Sequence, residues 1–208
     1  MLASLIPHYC QGNNNVSAYS RIWQQRLVHE AEGYLDLIKA SSWPTPLRVR
    51  YRRCLAQRAI AVLDQLSSAA DEEEGGRAAY LRGQAYRLMG KHRLAVVSLR
   101  RAVAAEPGNV RIYLALGWCY KRIQRLDLAI GALEEALEIG NDLPLNRGIL
   151  HYNLACYWSL ANNVGLTLAH LARAFEFNSE YRRRAQREVD FDPVRHDPEF
   201  LALTGVVV

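Results

Sequence analysis

The chain repeats a pattern of residue types at a constant spacing of 34 residues. Gly83 is followed at that distance by Gly117, and Tyr86 is followed by Tyr120. Three further pairs keep the same register: Ala95 and Ala129, Leu99 and Leu133, and Ala102 and Ala136. Five matches in one register indicate an internal repeat, and a repeat of this length is typical of solenoid architectures.

A third, weaker copy follows the second at a spacing of 38 residues. It has Ala155 where the second copy has Gly117, and it keeps the leucine at Leu171. The additional residues fall in the segment IGNDLPLNRG, which is rich in turn-forming residues, so an insertion there costs little. We therefore expect an extended loop between the second and third copies.

Each copy is predicted to form two helices. In the second copy, Tyr113, Leu116, Gly117 and Tyr120 share one face at helical spacing, and another apolar stripe follows the turn QRLD. A glycine within a helix costs about 1 kcal/mol relative to alanine, so Gly117 needs a compensating contact. We expect it to let the paired helices approach closely. The predicted antiparallel pairs are 77–90 with 92–105, 110–123 with 126–139, and 148–160 with 164–177.

The pattern resembles the tetratricopeptide repeat family, whose 34-residue helix-turn-helix unit has the form W-x2-L-G-x2-Y…A-x3-F…P. The segment YLALGWCY with Ala129 and Leu133 matches this form, and the first copy also has the final proline at Pro107. The resemblance covers residues 76 to 180. It implies an all-α fold, a right-handed superhelical solenoid of antiparallel helix pairs. We assign 76–109 to the first repeat, 110–147 to the second with its extended loop, and 148–181 to a degenerate third.

The segment before the repeats is predicted to form a helical hairpin at 17–75, either a cap or a divergent repeat. Its helices span 18–40 and 47–66, separated by SSWPTP, where proline stops helix propagation. The acidic stretch DEEEGG that follows is predicted to be a solvated connector. The expected buried side chains are Ile22, Leu27, Tyr34, Leu35 and Ile38 in the first helix and Leu55, Ile60, Leu63 and Leu66 in the second.

The two ends of the chain are predicted to behave differently. Residues 1–16 form a flexible N-terminal tail, whose apolar start MLASLIPHYC raises the alternative that it docks on an apolar surface. Residues 182–208 form capping helices: one continues to about Glu188, and a last one begins with Asp197 as N-cap and Pro198 as first residue. The side chains expected to cover the third repeat are Phe191, Val194, Phe200 and Leu201.

The sequence contains no recognisable catalytic, metal-binding or cofactor motif. Its six histidines and four cysteines are dispersed, without the HExxH or CxxC spacing of metal sites. No GxSxG sequence or glycine-rich phosphate loop is present. Glu134 and Glu135 are consecutive, so they point in different directions on a helix and favour a solvated surface over an acid/base pair. We therefore predict a non-enzymatic protein that uses no cofactor and no metal.

Charge and hydropathy indicate where in the cell the protein is located. The net charge is +5, carried mostly by arginines that are spread along the sequence. No apolar run is long enough to cross a membrane, and the start has no basic leader, which together predict a cytoplasmic protein. The segment DFDPVRHDPEF is similar to tails that follow the last repeat in bacterial proteins of this family, and this similarity suggests a bacterial origin.

The family resemblance implies a protein interaction scaffold or adaptor that binds a peptide in a concave groove lined by the first helices. Aromatic and aliphatic centres with cationic neighbours suit a ligand with apolar and acidic residues. The predicted groove residues are Arg77, Tyr80, Gln84, Arg87, Arg111, Leu114, Trp118, Lys121, Arg122 and Tyr152.

Three points stay open at this stage. Tyr80, Trp118 and Tyr152 could instead pack between repeats. The chain could also form a homo-oligomer, with a second copy of itself as a partner. The arginine-rich segment YRRRAQR leads to an alternative function, an RNA-binding or other nucleic-acid-binding solenoid, although nearby glutamates dilute its charge.

Overall fold

A computed structural model describes residues 13–40, 45–66, 72–139 and 144–205. Helices account for nearly all of these ranges, and no β-strand occurs within them. The first hairpin consists of α1 (Asn13–Ala40) and α2 (Thr45–Leu63). The repeats comprise α3 (Glu72–Leu88), α4 (His92–Ala105), α5 (Val110–Arg122), α6 (Leu126–Glu138), α7 (Pro144–Leu160) and α8 (Val164–Phe177). The chain continues through α9 (Glu180–Ala185), a 3-10 helix (Val189–Val194) and α10 (Pro198–Thr204).

Successive helices pack side by side along the array. Each of the pairs α3 with α4, α5 with α6, and α7 with α8 is in contact, and every pair also packs on the next one. The first helices α3, α5 and α7 contact one another in order and form one layer, and the second helices α4, α6 and α8 pack against that layer. This arrangement confirms the predicted all-α solenoid of antiparallel helix pairs.

The repeated glycines lie where the paired helices come closest. A Cβ atom added to Gly83 would lie 2.6 Å from Cγ and Cδ2 of Leu99. At Gly117 the added atom would lie 3.3 Å from Cδ2 of Leu133, the equivalent residue of the next repeat. Leu99 and Leu133 are fully buried. Close packing therefore offsets the helix propensity that these glycines lose, as the sequence predicts.

The buried side chains form two clusters that meet at α3. One joins α1 and α2 through residues such as Leu35 and Leu63 and extends to Leu81 on α3. The other runs through the repeats to the end of the chain. The hairpin prediction was wrong at Ile22, which is 63% exposed because it lies on the face of α1 turned away from α2 and α3.

Three helices begin earlier than predicted. α1 starts at Asn13, inside the predicted tail, because asparagine lowers helix propensity without stopping a helix as proline does. α3 starts at Glu72, within the predicted acidic connector, where carboxylates are favourable near a helix N-terminus. α7 starts at Pro144, so the second half of the predicted extended loop is helical; proline suits a first helical turn.

The segment after α8 is more broken than predicted. Asn178 has an extended backbone and ends α8, so α9 is a separate short helix instead of a continuation. The start of α10 is as predicted, because the Asp197 side chain accepts hydrogen bonds from the backbone amides of Glu199 and Phe200. Of the predicted covering side chains, Phe191, Val194 and Phe200 are buried and Leu201 is half-buried.

Some sequence features lie outside the described residues. These include residues 1–12 with their docking hypothesis, and part of the segment SSWPTP. Across the ranges that are described, no helix combines the length and apolar character that a membrane span requires.

Candidate peptide-binding surface

Trp118 lies at the centre of a cationic cluster on the layer of first helices. Its indole is half-buried, and two guanidinium groups lie near it. The Arg87 guanidinium carbon is 5.4 Å from the ring centroid, and that of Arg122 is 5.8 Å away. The cluster joins neighbouring repeats, because Arg87 lies in the last turn of α3 whereas Trp118 and Arg122 belong to α5. It therefore offers an aromatic surface flanked by positive charge.

Two polar atoms of this cluster have no hydrogen-bond partner among the described residues. They are Nε of Arg87 and Nδ1 of His92, and both atoms are buried. Nη2 of Arg87 does have a partner, because it donates to Oε1 of Gln84 at 2.6 Å. A buried polar atom without a partner is costly to the folded chain.

His92 extends the cluster through the first residue of α4. Its imidazole contacts the Trp118 indole edge-on, with ring centroids 5.2 Å apart. Burial, and then the charges of Arg122 and Arg87, lower the pKa of His92 below its ordinary value. The imidazole is therefore neutral near pH 7. The repeat pattern gives no signal for His92, because the equivalent residue of the next repeat is Leu126.

Four other predicted groove residues remain accessible to different degrees. Tyr80, Gln84 and Leu114 are half-buried, and Arg111 is exposed. Tyr80 and Leu114 also pack against the core of the repeats, so part of each side chain is used in packing between helices. Together with Arg87, Trp118 and Arg122 they define what we call the Trp118 surface.

Two predicted cationic groove residues already have acidic partners. Arg77 pairs with Glu32 of α1, with Nη2 and Oε2 2.5 Å apart. Lys121 pairs with Asp190 of the 3-10 helix, also at 2.5 Å, and both side chains are largely covered. Because these charges are neutralised within the chain, neither residue is part of the Trp118 surface.

Tyr152 is covered by the segment that follows the repeats. Its side chain is only 6% exposed, stacked on Tyr181 with centroids 4.8 Å apart and edge-on to Phe191 at 5.8 Å. The 3-10 helix packs directly on α7, the helix that carries Tyr152. This position is therefore closed to a ligand, because the chain folds back over the first helix of the third repeat.

A histidine pair that the sequence analysis missed joins α7 and α8. Nδ1 of His151 and Nδ1 of His170 are 3.0 Å apart, and the His151 ring stacks on Phe177. Burial, followed by the charges of His170, Arg147 and Arg173, lowers the pKa of His151 to about 4. The residues are 19 positions apart, and only the pairing of the two helices brings them together.

The described residues offer little for redox or metal chemistry. Burial raises the pKa of the Cys119 thiol to about 11 and that of Cys156 well above its ordinary value. Thiols held in the protonated form are poor nucleophiles and poor metal ligands. Within the described ranges, no three His, Cys, Asp or Glu side chains converge on one point that could hold a metal ion.

The arginine-rich segment lies around α9 and borders a shallow hollow. The hollow is lined by Glu180, Arg183, Arg184, Gln186, Arg187 and Glu188. Glu180 pairs with Arg183, and Arg184 lies over the rings of Tyr152 and Tyr181. The positive charge is therefore interrupted by two glutamates and partly used in packing.

Comparison with known proteins agrees with this geometry. A family model described as tetratricopeptide repeat matches residues 86–145, from the end of α3 to the start of α7. These residues form a tetratricopeptide repeat segment of the chain. The matched segment includes Arg87, Trp118 and Arg122 of the Trp118 surface, whereas Tyr80 and Gln84 precede it. No curated protein sequence matches the chain.

Solved tetratricopeptide repeat structures share the fold. A crystal structure of MamA is 17% identical and has a TM-score of 0.52, with 84% of this chain and 99% of that chain covered. A MamA fragment from Desulfovibrio magneticus RS-1 is 20% identical with a TM-score of 0.52, covering 82% and 98%. YrrB, described as a tetratricopeptide repeat protein with an unusual peptide-binding site, is 18% identical with a TM-score of 0.54, covering 83% and 89%. At 17% to 20% sequence identity, these similarities concern the fold alone.

Proposed function

We propose that this tetratricopeptide repeat protein is a non-enzymatic scaffold or adaptor that binds a peptide or protein segment in its concave groove, on the Trp118 surface. The half-buried Trp118 indole between Arg87 and Arg122 carries the proposal. An aromatic residue flanked by arginine is typical of the positions that dominate binding energy at protein interfaces. The peptide-binding site named for YrrB gives a precedent within the same fold.

The chemistry of the surface indicates what the ligand contains. Arg87 and Arg122 favour a carboxylate. Tyr80, Leu114 and the Trp118 ring supply apolar area for an aliphatic or aromatic side chain. A segment with an acidic residue close to an apolar one therefore fits better than a basic segment.

Selection from a random linear peptide library, followed by titration of the selected peptides, tests the proposal. We expect enrichment of peptides that combine acidic and apolar residues. Trp118→Ala and Arg122→Glu should each weaken binding by about tenfold or more. Arg122 is exposed, so its substitution should leave the fold intact.

Trp23 provides a matched control on α1. It is an exposed tryptophan with the Arg26 guanidinium 5.8 Å from its ring, so it has similar chemistry at another place. Trp23→Ala should leave the affinity for the selected peptides unchanged. Equal binding of these peptides to the wild type and to both Trp118-surface variants would contradict the proposal.

The nucleic-acid alternative is supported less well by the arrangement around α9. Glu180 and Glu188 line the same hollow as its arginines, so a phosphate backbone would meet negative charge there. Fluorescence anisotropy with a single-stranded RNA probe separates the two functions. We expect no binding at physiological salt, whereas tight binding that falls steeply with salt would favour the alternative.

A further inference from the structure

The second helices of the first two repeats carry opposite charges. On α4 the charged residues are Arg93, Arg100 and Arg101, and on α6 they are Asp127, Glu134, Glu135 and Glu138. All seven side chains are exposed. They lie on the layer of second helices, opposite the layer that carries the Trp118 surface. We call this exposed side of α4 and α6 the outer face.

The opposite charges occupy equivalent positions of the repeat. The spacing of 34 residues relates Arg93 to Asp127, Arg100 to Glu134, and Arg101 to Glu135. The same spacing relates two exposed leucines, Leu94 and Leu128. Two helices with the same surface pattern therefore differ by a reversal of charge at three positions, while the apolar position is retained.

Gly131 is an exposed glycine in the middle of α6, and packing among the described residues does not explain it. An added Cβ atom would meet no atom within 4 Å. Alanine would fit there and has a higher helix propensity than glycine. The equivalent residue on α4 is Val97, whose side chain is 55% exposed. If α4 of another molecule lay over α6, Gly131 would leave room for this valine.

Arg100 and Glu134 are the charged residues of the outer face that are most available to a binding partner. Within the described part of the chain, neither has a hydrogen-bond or ion-pair partner. By contrast, Glu135 accepts a hydrogen bond from the Tyr113 hydroxyl at 3.0 Å, and Asp127 pairs with Arg125 at 2.8 Å. A partner that supplies the opposite charges would therefore gain most at Arg100 and Glu134.

We propose that the outer face binds a second copy of this chain in a two-fold symmetric dimer. α4 and α6 run in the same direction, because each is the second helix of its repeat. A two-fold axis parallel to them and midway between them places α4 of one copy over α6 of the other. Each residue then faces its repeat equivalent, so Arg100 meets Glu134 of the second copy and Val97 meets Gly131.

This symmetry gives both helices of the outer face, α4 and α6, a partner of opposite charge at the same time. In a two-fold interface, a contact between residue i and residue j occurs twice with the roles exchanged. The positive α4 and the negative α6 are therefore both matched by a single partner, which presents the same two helices in the same register. Single exposed ion pairs contribute little, so the dimer depends on their number and weakens as salt increases.

Charge reversal with recombination tests the proposed dimer by sedimentation velocity at low ionic strength. The wild type should form a dimer that dissociates on dilution and at high salt. Arg100→Glu and Glu134→Arg should each weaken self-association by about tenfold or more, because like charges then meet across the axis. An equal mixture of the two variants should restore a dimer, because one copy presents two negative charges and the other two positive charges.

Two further variants separate a specific contact from a general effect of charge or folding. Gly131→Leu should keep the helical circular dichroism signal, since the position is open in the monomer, but should abolish the dimer by colliding with Val97. Arg187→Glu reverses an exposed arginine beyond α9 and should leave the dimer unchanged.

The following results would overturn the proposal: a wild type that stays monomeric at low salt and high concentration, no recovery on mixing the two charge variants, a dimer that survives Gly131→Leu, or a dimer lost equally in Arg187→Glu. The proposal goes beyond the peptide-binding function and does not rest on it. Arg122→Glu, which tests the Trp118 surface, should leave the dimer intact, so the two proposals can fail separately.

Discussion

Gly33 and Gly83 are both helical glycines, but their surroundings differ at the scale of single atoms. A Cβ atom on Gly33 would meet no atom of the described residues within 4 Å, whereas one on Gly83 would lie 2.6 Å from the buried Leu99 side chain. Gly83→Ala should therefore lower the free energy of unfolding by about 1 to 3 kcal/mol through overpacking. Gly33→Ala should raise it by about 0.5 to 1 kcal/mol through helix propensity.

Urea unfolding followed by circular dichroism measures both glycine changes on one scale. Equal and stabilising effects of the two substitutions would show that Leu99 moves aside without cost. In that case helix propensity, and not the distance between α3 and α4, would govern Gly83.

His151 is the residue through which pH should act on stability. Its pKa in the folded chain is lowered to about 4 from an ordinary value of 6.5, because burial and the charges of His170, Arg147 and Arg173 disfavour the protonated form. Below pH 6.5 the unfolded chain binds more protons at this position, so stability falls with falling pH down to about 4. Since the side chain is partly solvated, we expect a loss of about 1 kcal/mol.

His151→Gln should reduce this pH dependence, since glutamine does not titrate. Urea midpoints between pH 7 and pH 4.5 give the comparison. His196→Gln, at an exposed histidine of the same chain, is the control and should follow the wild type. A pH dependence that is unchanged in His151→Gln would contradict the assignment.

At the scale of secondary structure elements, the 3-10 helix fixes the end of the array. Phe191 is fully buried between Tyr152 of α7 and Phe200 of α10, while Val189 at the start of the same helix is 67% exposed. Phe191→Ala should lower the free energy of unfolding by about 3 to 5 kcal/mol, because it removes a large buried side chain.

Val189→Ala is the matched control on the same 3-10 helix and should change the unfolding free energy by less than about 0.5 kcal/mol. Thermal or urea unfolding of the two variants gives the comparison. Similar small effects of both would mean that the segment packs loosely on α7 and does not stabilise the third repeat.

For the whole molecule, stability should vary along the array, because each helix pair contacts only its neighbours. α1 and α2 belong to the smaller of the two buried clusters, and α1 leaves Ile22 and Trp23 exposed. α5 and α6 are flanked by a helix pair on each side. We expect backbone amides of α1 and α2 to exchange with deuterium faster than those of α5 and α6.

Hydrogen exchange followed by mass spectrometry resolves this difference helix by helix. The amides of α3 should show intermediate protection, because this helix contributes to both buried clusters. Uniform protection from α1 to α8 would show that the array unfolds as one cooperative unit.

The helices and their order follow from residue patterns, because the spacing of Gly83, Gly117 and their apolar neighbours is a local, periodic signal. The pattern also predicts why these residues are glycine, since a small residue within an apolar stripe lets the neighbouring helix approach closely. The starts of α1, α3 and α7 were less predictable, because asparagine, acidic residues and proline occur both in loops and in first helical turns.

Packing between distant segments sets which of the predicted groove residues are accessible. Lys121 and Tyr152 have the same repeat positions as accessible residues elsewhere. They are covered by Asp190 and Phe191, because the segment that follows the repeats folds back over them. The clustering of Arg87, His92 and Trp118 and the pairing of His151 with His170 also come from packing between helices. Contacts of this kind depend on distances between segments far apart in sequence, and residue spacing does not encode those distances.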